Sequence, residues 1–140
     1  MAHLQRAVAS LRVIGDDVVP AEISRLLRTS PTAAYAKGDE WHLPNRVGVR
    51  TSGMWRLDAE VTEPENFSQQ VSELLSRTTA DLDVWQALSG RFRLDLFCGW
   101  FMSDSNEGIE ISPATMVALG TGGIVLSVDI YSPDLKGEHG

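Results

Sequence analysis

Apolar and polar positions alternate with a period of two in four stretches of the chain and recur at helical spacing between them. In Val8–Gly15 (VASLRVIG), Leu11 and Val13 fall on one face and Ser10, Arg12 and Ile14 on the other, which predicts a strand with one covered face. Met54–Val61 sets Trp55, Leu57, Ala59 and Val61 against Arg56, Asp58 and Glu60 in the same way. The longest run, Arg91–Met102, places Phe92, Leu94, Leu96, Cys98, Trp100 and Met102 on one side and Arg91, Arg93, Asp95, Phe97, Gly99 and Phe101 on the other. A fourth strand follows, with Ile124, Leu126, Val128 and Ile130 alternating with Val125, Ser127, Asp129 and Tyr131.

Three helical segments and a short helical piece separate these strands. Pro20 stands at a first helical position, where its fixed φ is suitable and its missing N–H is not needed, and Ile23, Leu26 and Leu27 follow on one stripe. Asn66 and Gln69 are spaced as a capping box before Phe67, Val71, Leu74 and Leu75, which predicts a helix to about Arg77. Leu82, Trp85 and Leu88 in Thr79–Leu88 form the short piece. Ser112 is placed to cap a brief helix with Pro113, Met116 and Leu119, and Gly120 stands where a left-handed helix end is expected. Thr29–Ser52 holds two Pro, two Gly and no sustained period, the pattern of a long connection, and such connections often carry function.

The order strand, turn, proline-opened helix, glycine, strand occurs twice, as VVPAEISRLL with GMWRLDAEV and as ISPATMVALG with GIVLSVDIY. One domain over residues 1–140 is expected, with a strand-helix-strand repeat at about 7–61 and 91–131 and a helical insertion at 66–88. Two such units with right-handed crossovers predict an α+β fold: a mainly antiparallel four-stranded sheet with helices on one face, in a ferredoxin-like arrangement with an inserted helix.

The 140 residues, of which 43% are hydrophobic and 22% charged, have the composition of a folded globular chain. A formal charge of -7 repels a phosphate backbone, so nucleic acid is not an expected partner. The single Cys98 cannot close an intramolecular disulfide, and in an alternating strand it reads as a small buried hydrophobe, which suits a reducing cytoplasm. Residues 1–10 lack a signal-peptide run, and nowhere do about 18 uncharged apolar residues follow one another. A cytoplasmic protein without membrane attachment is therefore expected. Its ten Arg against two Lys hint at a GC-rich bacterial genome.

Candidate chemistry is sparse. His3, His42 and His139 have no acidic or cysteine partner at ligand spacing, so no metal is expected. Asp16 and Asp17 read as an Asx turn. Gly120-Thr121-Gly122-Gly123 follows a helix instead of opening one, which argues against a phosphate cradle, and no cofactor is expected. No nucleophile or acid-base constellation marks a catalytic residue, so the reading is non-enzymatic.

The predicted uncovered sheet face collects Arg12, Ile14, Arg56, Asp58, Arg93, Asp95, Phe97, Phe101, Asp129 and Tyr131. Its arginines suit an anionic ligand or a protein partner, and they equally suit cross-strand pairing with the aspartates. Phe97 and Phe101 on a solvated face point to a partner surface, and homodimerisation through the sheet would cover them. An RNA platform is disfavoured because the first strand offers no aromatic. The long connection contributes Lys37, Asp39, Trp41, His42, Arg46 and Arg50, a set suited either to a pocket mouth or to a loop anchored by Trp41.

The segments LRVIGDDVVPAEISRLLRTSPTAAYAKGD, SGMWRLDAEV and VDIY resemble a bacterial family known as a domain of unknown function, family 4279. Its distinctive elements here are Gly15-Asp16-Asp17, the helix opened by Pro20, Pro31, Lys37-Gly38-Asp39, Gly53 with Trp55, and Asp129-Ile130-Tyr131. The resemblance implies a small, stand-alone bacterial domain and assigns no activity. If its motif positions serve function, they are Lys37, Asp39, Trp55, Asp129 and Tyr131. If they serve structure, Lys37 and Asp39 fix a turn while Asp129 and Tyr131 hold the end of the fourth strand. The expected function is protein interaction, with a second copy or an unidentified protein, through Phe97 and Phe101. The alternative is a small anionic ligand bound by the 37–50 loop and the sheet arginines, with Lys37, Asp39, Trp41, Arg12, Arg56, Arg93, Asp129 and Tyr131 around it.

Overall fold

The computed structural model describes residues 4–133. In chain order the elements are β1 (Arg6–Gly15), α1 (Pro20–Leu27), β2 (Ala33–Tyr35), β3 (Glu40–Leu43), β4 (Arg46–Val49), β5 (Gly53–Asp58), α2 (Phe67–Ser76), α3 (Leu82–Arg91), β6 (Arg93–Phe101), α4 (Pro113–Thr121) and β7 (Val125–Tyr131). Five strands form the main sheet in the order β2-β5-β1-β6-β7, and β3 with β4 makes a separate hairpin. Every pairing in the main sheet is antiparallel except β6 with β7, which is parallel.

The α+β class is as the sequence predicts, but the sheet is mixed and has five strands instead of four. The parallel pair follows from α4, because a crossover helix returns the chain to the end of the sheet from which it left. The ferredoxin-like order would interleave strands from the two halves, whereas here β1 lies beside β5 and β6 beside β7. The segment between β1 and β5 holds α1, β2 and the hairpin, and it brings β5 back antiparallel instead of crossing over.

Strand faces follow the sequence pattern. Ala7, Ala9, Leu11 and Val13 of β1, Trp55 and Leu57 of β5, and Leu94, Leu96, Cys98 and Trp100 of β6 are buried together with Ile23 and Leu27 of α1, Phe67, Val71 and Leu74 of α2, Trp85 and Leu88 of α3, and Leu119 of α4. Buried Gln70 of α2 ties this layer to the sheet by donating to the carbonyls of Ala7 (2.9 Å) and Glu60 (3.1 Å).

The helix ends mostly match their signals. Asn66 accepts from the Gln69 N–H and Ser112 from the Thr115 N–H, while Asp81 caps α3. Gly120, expected as the left-handed end of the last helix, lies inside α4, and the positive φ falls at Gly123 (70°). Arg91, expected at the start of the third strand, is the last residue of α3. Gly53 is required where β5 passes β1, since a Cβ there would stand 2.8 Å from the Gly15 carbonyl oxygen and from Val18.

Candidate functional site

The face opposite the helices carries Arg12, Arg56, Asp58, Arg93, Asp95, Phe97, Phe101, Asp129 and Tyr131, as the alternation predicts, because register sets Arg12 opposite both Arg56 and Asp95, Phe97 beside Ser127, and Phe101 beside Tyr131. Tyr35 of β2 joins them beside Met54. No helix covers this face among the described residues.

Its charges are mutually engaged. Arg12 forks onto Asp95, with Nε to Oδ1 at 2.8 Å and Nη2 to Oδ2 at 2.7 Å, and its guanidinium lies 4.4 Å above the Phe97 ring. The hydrogen bond to Asp95 is the main reason that the Arg12 pKa is raised, with the charges of Asp95, Tyr35 and Asp129 adding to it and partial burial opposing it. Asp95 is 1% exposed and receives a second guanidinium, Arg93 Nε, at 3.7 Å. Arg93 also donates to Ser127. Arg56 Nε stands 3.0 Å from Asp58 Oδ1, an ion pair without hydrogen-bond alignment, and Asp58 also accepts from the Ser10 hydroxyl at 2.7 Å. Ion pairs across β1 and β6 (Arg12–Asp95) and along β5 (Arg56–Asp58) and β6 (Arg93–Asp95) thus engage the arginines expected to meet an anion on the sheet. The aromatics are half-covered from within the chain. Phe101 stacks on Tyr131 at 4.6 Å, nearly parallel, and Arg6 lies 5.0 Å from its centre.

The long connection is ordered into β2 and the β3–β4 hairpin. Gly38, at φ 92°, sits third in a turn from Ala36 to Asp39 that is closed by the Asp39 N–H to the Ala36 carbonyl (3.1 Å). The Asp39 carboxylate accepts the Ala36 N–H at 2.8 Å, and Lys37 reaches Asp16 at 3.1 Å. Lys37 and Asp39 therefore fix a turn and tie it to the β1–α1 connection. The Asp16 carboxylate is engaged by that lysine; the turn it occupies is closed by the Val18 N–H to the Gly15 carbonyl, not by an Asx bond. Trp41 packs over Gly48 across the hairpin, where any Cβ would collide with the indole. His42 is exposed, with Nε2 3.3 Å from Glu40.

Between the hairpin and the sheet edge lies a cleft of about 180 Å³ lined by Tyr35, Trp41, Val49, Arg50, Thr51 and Ser52. Trp41 and Arg50 are the two of these that the sequence marks for a pocket mouth. Tyr35 escapes it because β2 is too short to show alternation, and the Thr51-Ser52 hydroxyls carry no periodic signal.

Cys98 is fully buried, and burial pushes its thiol up to about 12, with Asp95 adding to the rise. We expect the folded protein to leave an aromatic disulfide reagent unreacted at neutral pH and to release one thiol equivalent in denaturant; prompt reaction of the native protein would contradict this burial. Among the described residues no group of three His, Cys, Asp or Glu side chains can hold a metal, and His3 and His139 lie outside those residues. No helix among the described residues is long and apolar enough to cross a membrane.

A family described as a domain of unknown function (DUF4279) matches residues 5–133. The chain belongs to this family. No curated protein and no solved structure matches it. In this DUF4279 chain the distinctive positions do structural tasks: Lys37, Gly38 and Asp39 build the turn, Gly53 permits the approach of β5 to Gly15, and Trp55 is a fully buried core residue bonded to Ser24. Tyr131 closes the end of β7, its carbonyl accepting the Met102 N–H at 3.0 Å and its ring stacking on Phe101. Asp129 stays exposed on the open face.

Proposed function

We propose that this protein is a non-enzymatic interaction domain of the cytoplasm that pairs with a second copy of itself through the open sheet face. The observation that carries this reading is the Phe101–Tyr131 stack, flanked by Arg6, at one end of a sheet face that no helix covers among the described residues. Aromatic rings held beside arginine are the composition of energetic centres in protein interfaces. Charge does not oppose a second copy. The chain carries -7, yet the strands place Arg6, Arg12, Arg56 and Arg93 on this face against Asp58, Asp95 and Asp129, so two such faces meet without the repulsion of the rest of the molecule.

Light scattering coupled to size exclusion is expected to give twice 15.3 kDa, with a shift toward the single mass on dilution. Phe101→Ser with Tyr131→Ser should give 15.3 kDa under the same conditions while circular dichroism stays native. A monomer for the unaltered protein at every concentration, or an unaltered dimer for the double variant, overturns the assignment.

A further inference from the structure

The arginines of the described chain differ in what they face. Arg6, Arg12, Arg56, Arg77, Arg91 and Arg93 each have a carboxylate within 4 Å. Arg46 and Arg50 at the hairpin have none among the described residues and lie instead on aromatic rings, Arg46 at 5.3 Å from Trp41 and Arg50 at 4.0 Å from Tyr35. Arg25 and Arg28 of the α1 end also lack an ion pair, but they lie on no ring, so Arg46 and Arg50 are the arginines among the described residues that combine a missing carboxylate with an aromatic platform. The residue facing Arg50 across the ladder, Asp39, directs its carboxylate to the Ala36 N–H and meets Arg50 only through the backbone.

We propose that the cleft between the hairpin and β2 binds a small planar carboxylate, such as an aromatic or heteroaromatic acid, with Arg50 as the anion receptor. A guanidinium stacked on Tyr35 keeps its N–H edges free in one plane, and that plane matches the two oxygens of a carboxylate. Thr51 and Ser52 line the same cleft as polar residues, and Trp41, held against Gly48 and beneath Arg46, bounds it on the hairpin side. Size limits the ligand: the cleft holds about 180 Å³, and a cavity of about 150 Å³ is enough for benzene. Charge limits it as well, since one receptor guanidinium in an acidic protein tolerates a monoanion better than a phosphate dianion. Tyr35 lies at the β2 edge of the open face and the Phe101–Tyr131 stack at its β6–β7 edge, so the cleft is distinct from the stack although both border one face.

Sodium benzoate is the probe, with benzamide and inorganic phosphate as comparisons, read by calorimetry and by the chemical shifts of the Trp41 indole and Arg50 guanidinium. A ligand of this size is expected to bind in the millimolar range. Benzoate should shift both signals, and benzamide and phosphate should bind at least about tenfold more weakly, because they lack either the charge or the planar fork. Arg50→Gln should weaken benzoate about tenfold or more with no change in melting temperature, and Arg50→Lys should fall between, retaining charge without the fork. No shift at Trp41 and Arg50 at millimolar benzoate, equal binding of benzamide, or an Arg50→Gln variant that binds benzoate unchanged would each overturn the proposal.

Discussion

Trp55→Ala should cost about 4 kcal/mol of folding stability, the range for deleting a large aromatic from a packed core. The indole is fully buried and lies at the middle of the β5 pairings, opposite Val13 of β1 and Ala34 of β2. Its Nε1–H donates to Ser24 Oγ of α1 at 3.0 Å, so the same side chain fills the core and fixes a helix on the sheet. Truncation removes the burial, opens a cavity in a layer of strand residues that cannot close around it, and leaves the Ser24 hydroxyl without its donor. For a chain of this length the melting temperature should fall by more than about 10 °C. Trp55→Phe keeps most of the volume and loses the bond, so about 1–2 kcal/mol is expected. Urea titrations with an unchanged slope provide the measurement. A loss below about 1 kcal/mol for the alanine variant would mean that the site closes up, contrary to this packing.

Trp55 is legible as a core residue in the sequence because period-two alternation over six or more residues states which face a side chain takes. The same signal assigns the open face of β1, β5, β6 and β7 residue by residue, including the joint presence of Arg12 and Asp95, which are 83 positions apart. Alternation does not carry strand direction or neighbour order, so the parallel β6–β7 pair and the adjacency of β1 and β5 are not legible in it. Short elements escape for a different reason. β2 has three residues, and β3 and β4 have four each with mostly exposed side chains, so no buried stripe imposes a period on them. The hairpin is held by Trp41 lying where Gly48 lacks a side chain, a contact that looks like two unrelated residues in the sequence. The cleft inherits this problem: Tyr35, Arg50 and Ser52 converge only once the hairpin has formed.

Within the open face, removing Arg12 should do more damage than removing Asp95, although both changes break the same ion pair. Asp95 has a side chain 1% exposed, against 24% for Arg12. Arg12→Met leaves a buried carboxylate with only Arg93 Nε at 3.7 Å, and about 3 kcal/mol should be lost. Asp95→Asn leaves a guanidinium that can swing toward water while it keeps its place over Phe97, so about 1–2 kcal/mol is expected. Arg12→Met with Asp95→Asn removes both charges together, and its cost should be clearly less than the sum of the single changes, because neither charge is left uncompensated. A coupling energy near zero in that cycle would show that the fork does not persist in solution. The same double variant separates the two roles of the face. It keeps Phe101, Tyr131 and Arg6, so if the stack carries self-association the doubled mass survives, whereas Phe101→Ser with Tyr131→Ser abolishes it. Loss of the dimer in the charge-free variant would instead assign the pairing to the Arg12–Asp95 fork. The electrostatic balance of the face, and not its aromatic end, would then be what a second copy recognises.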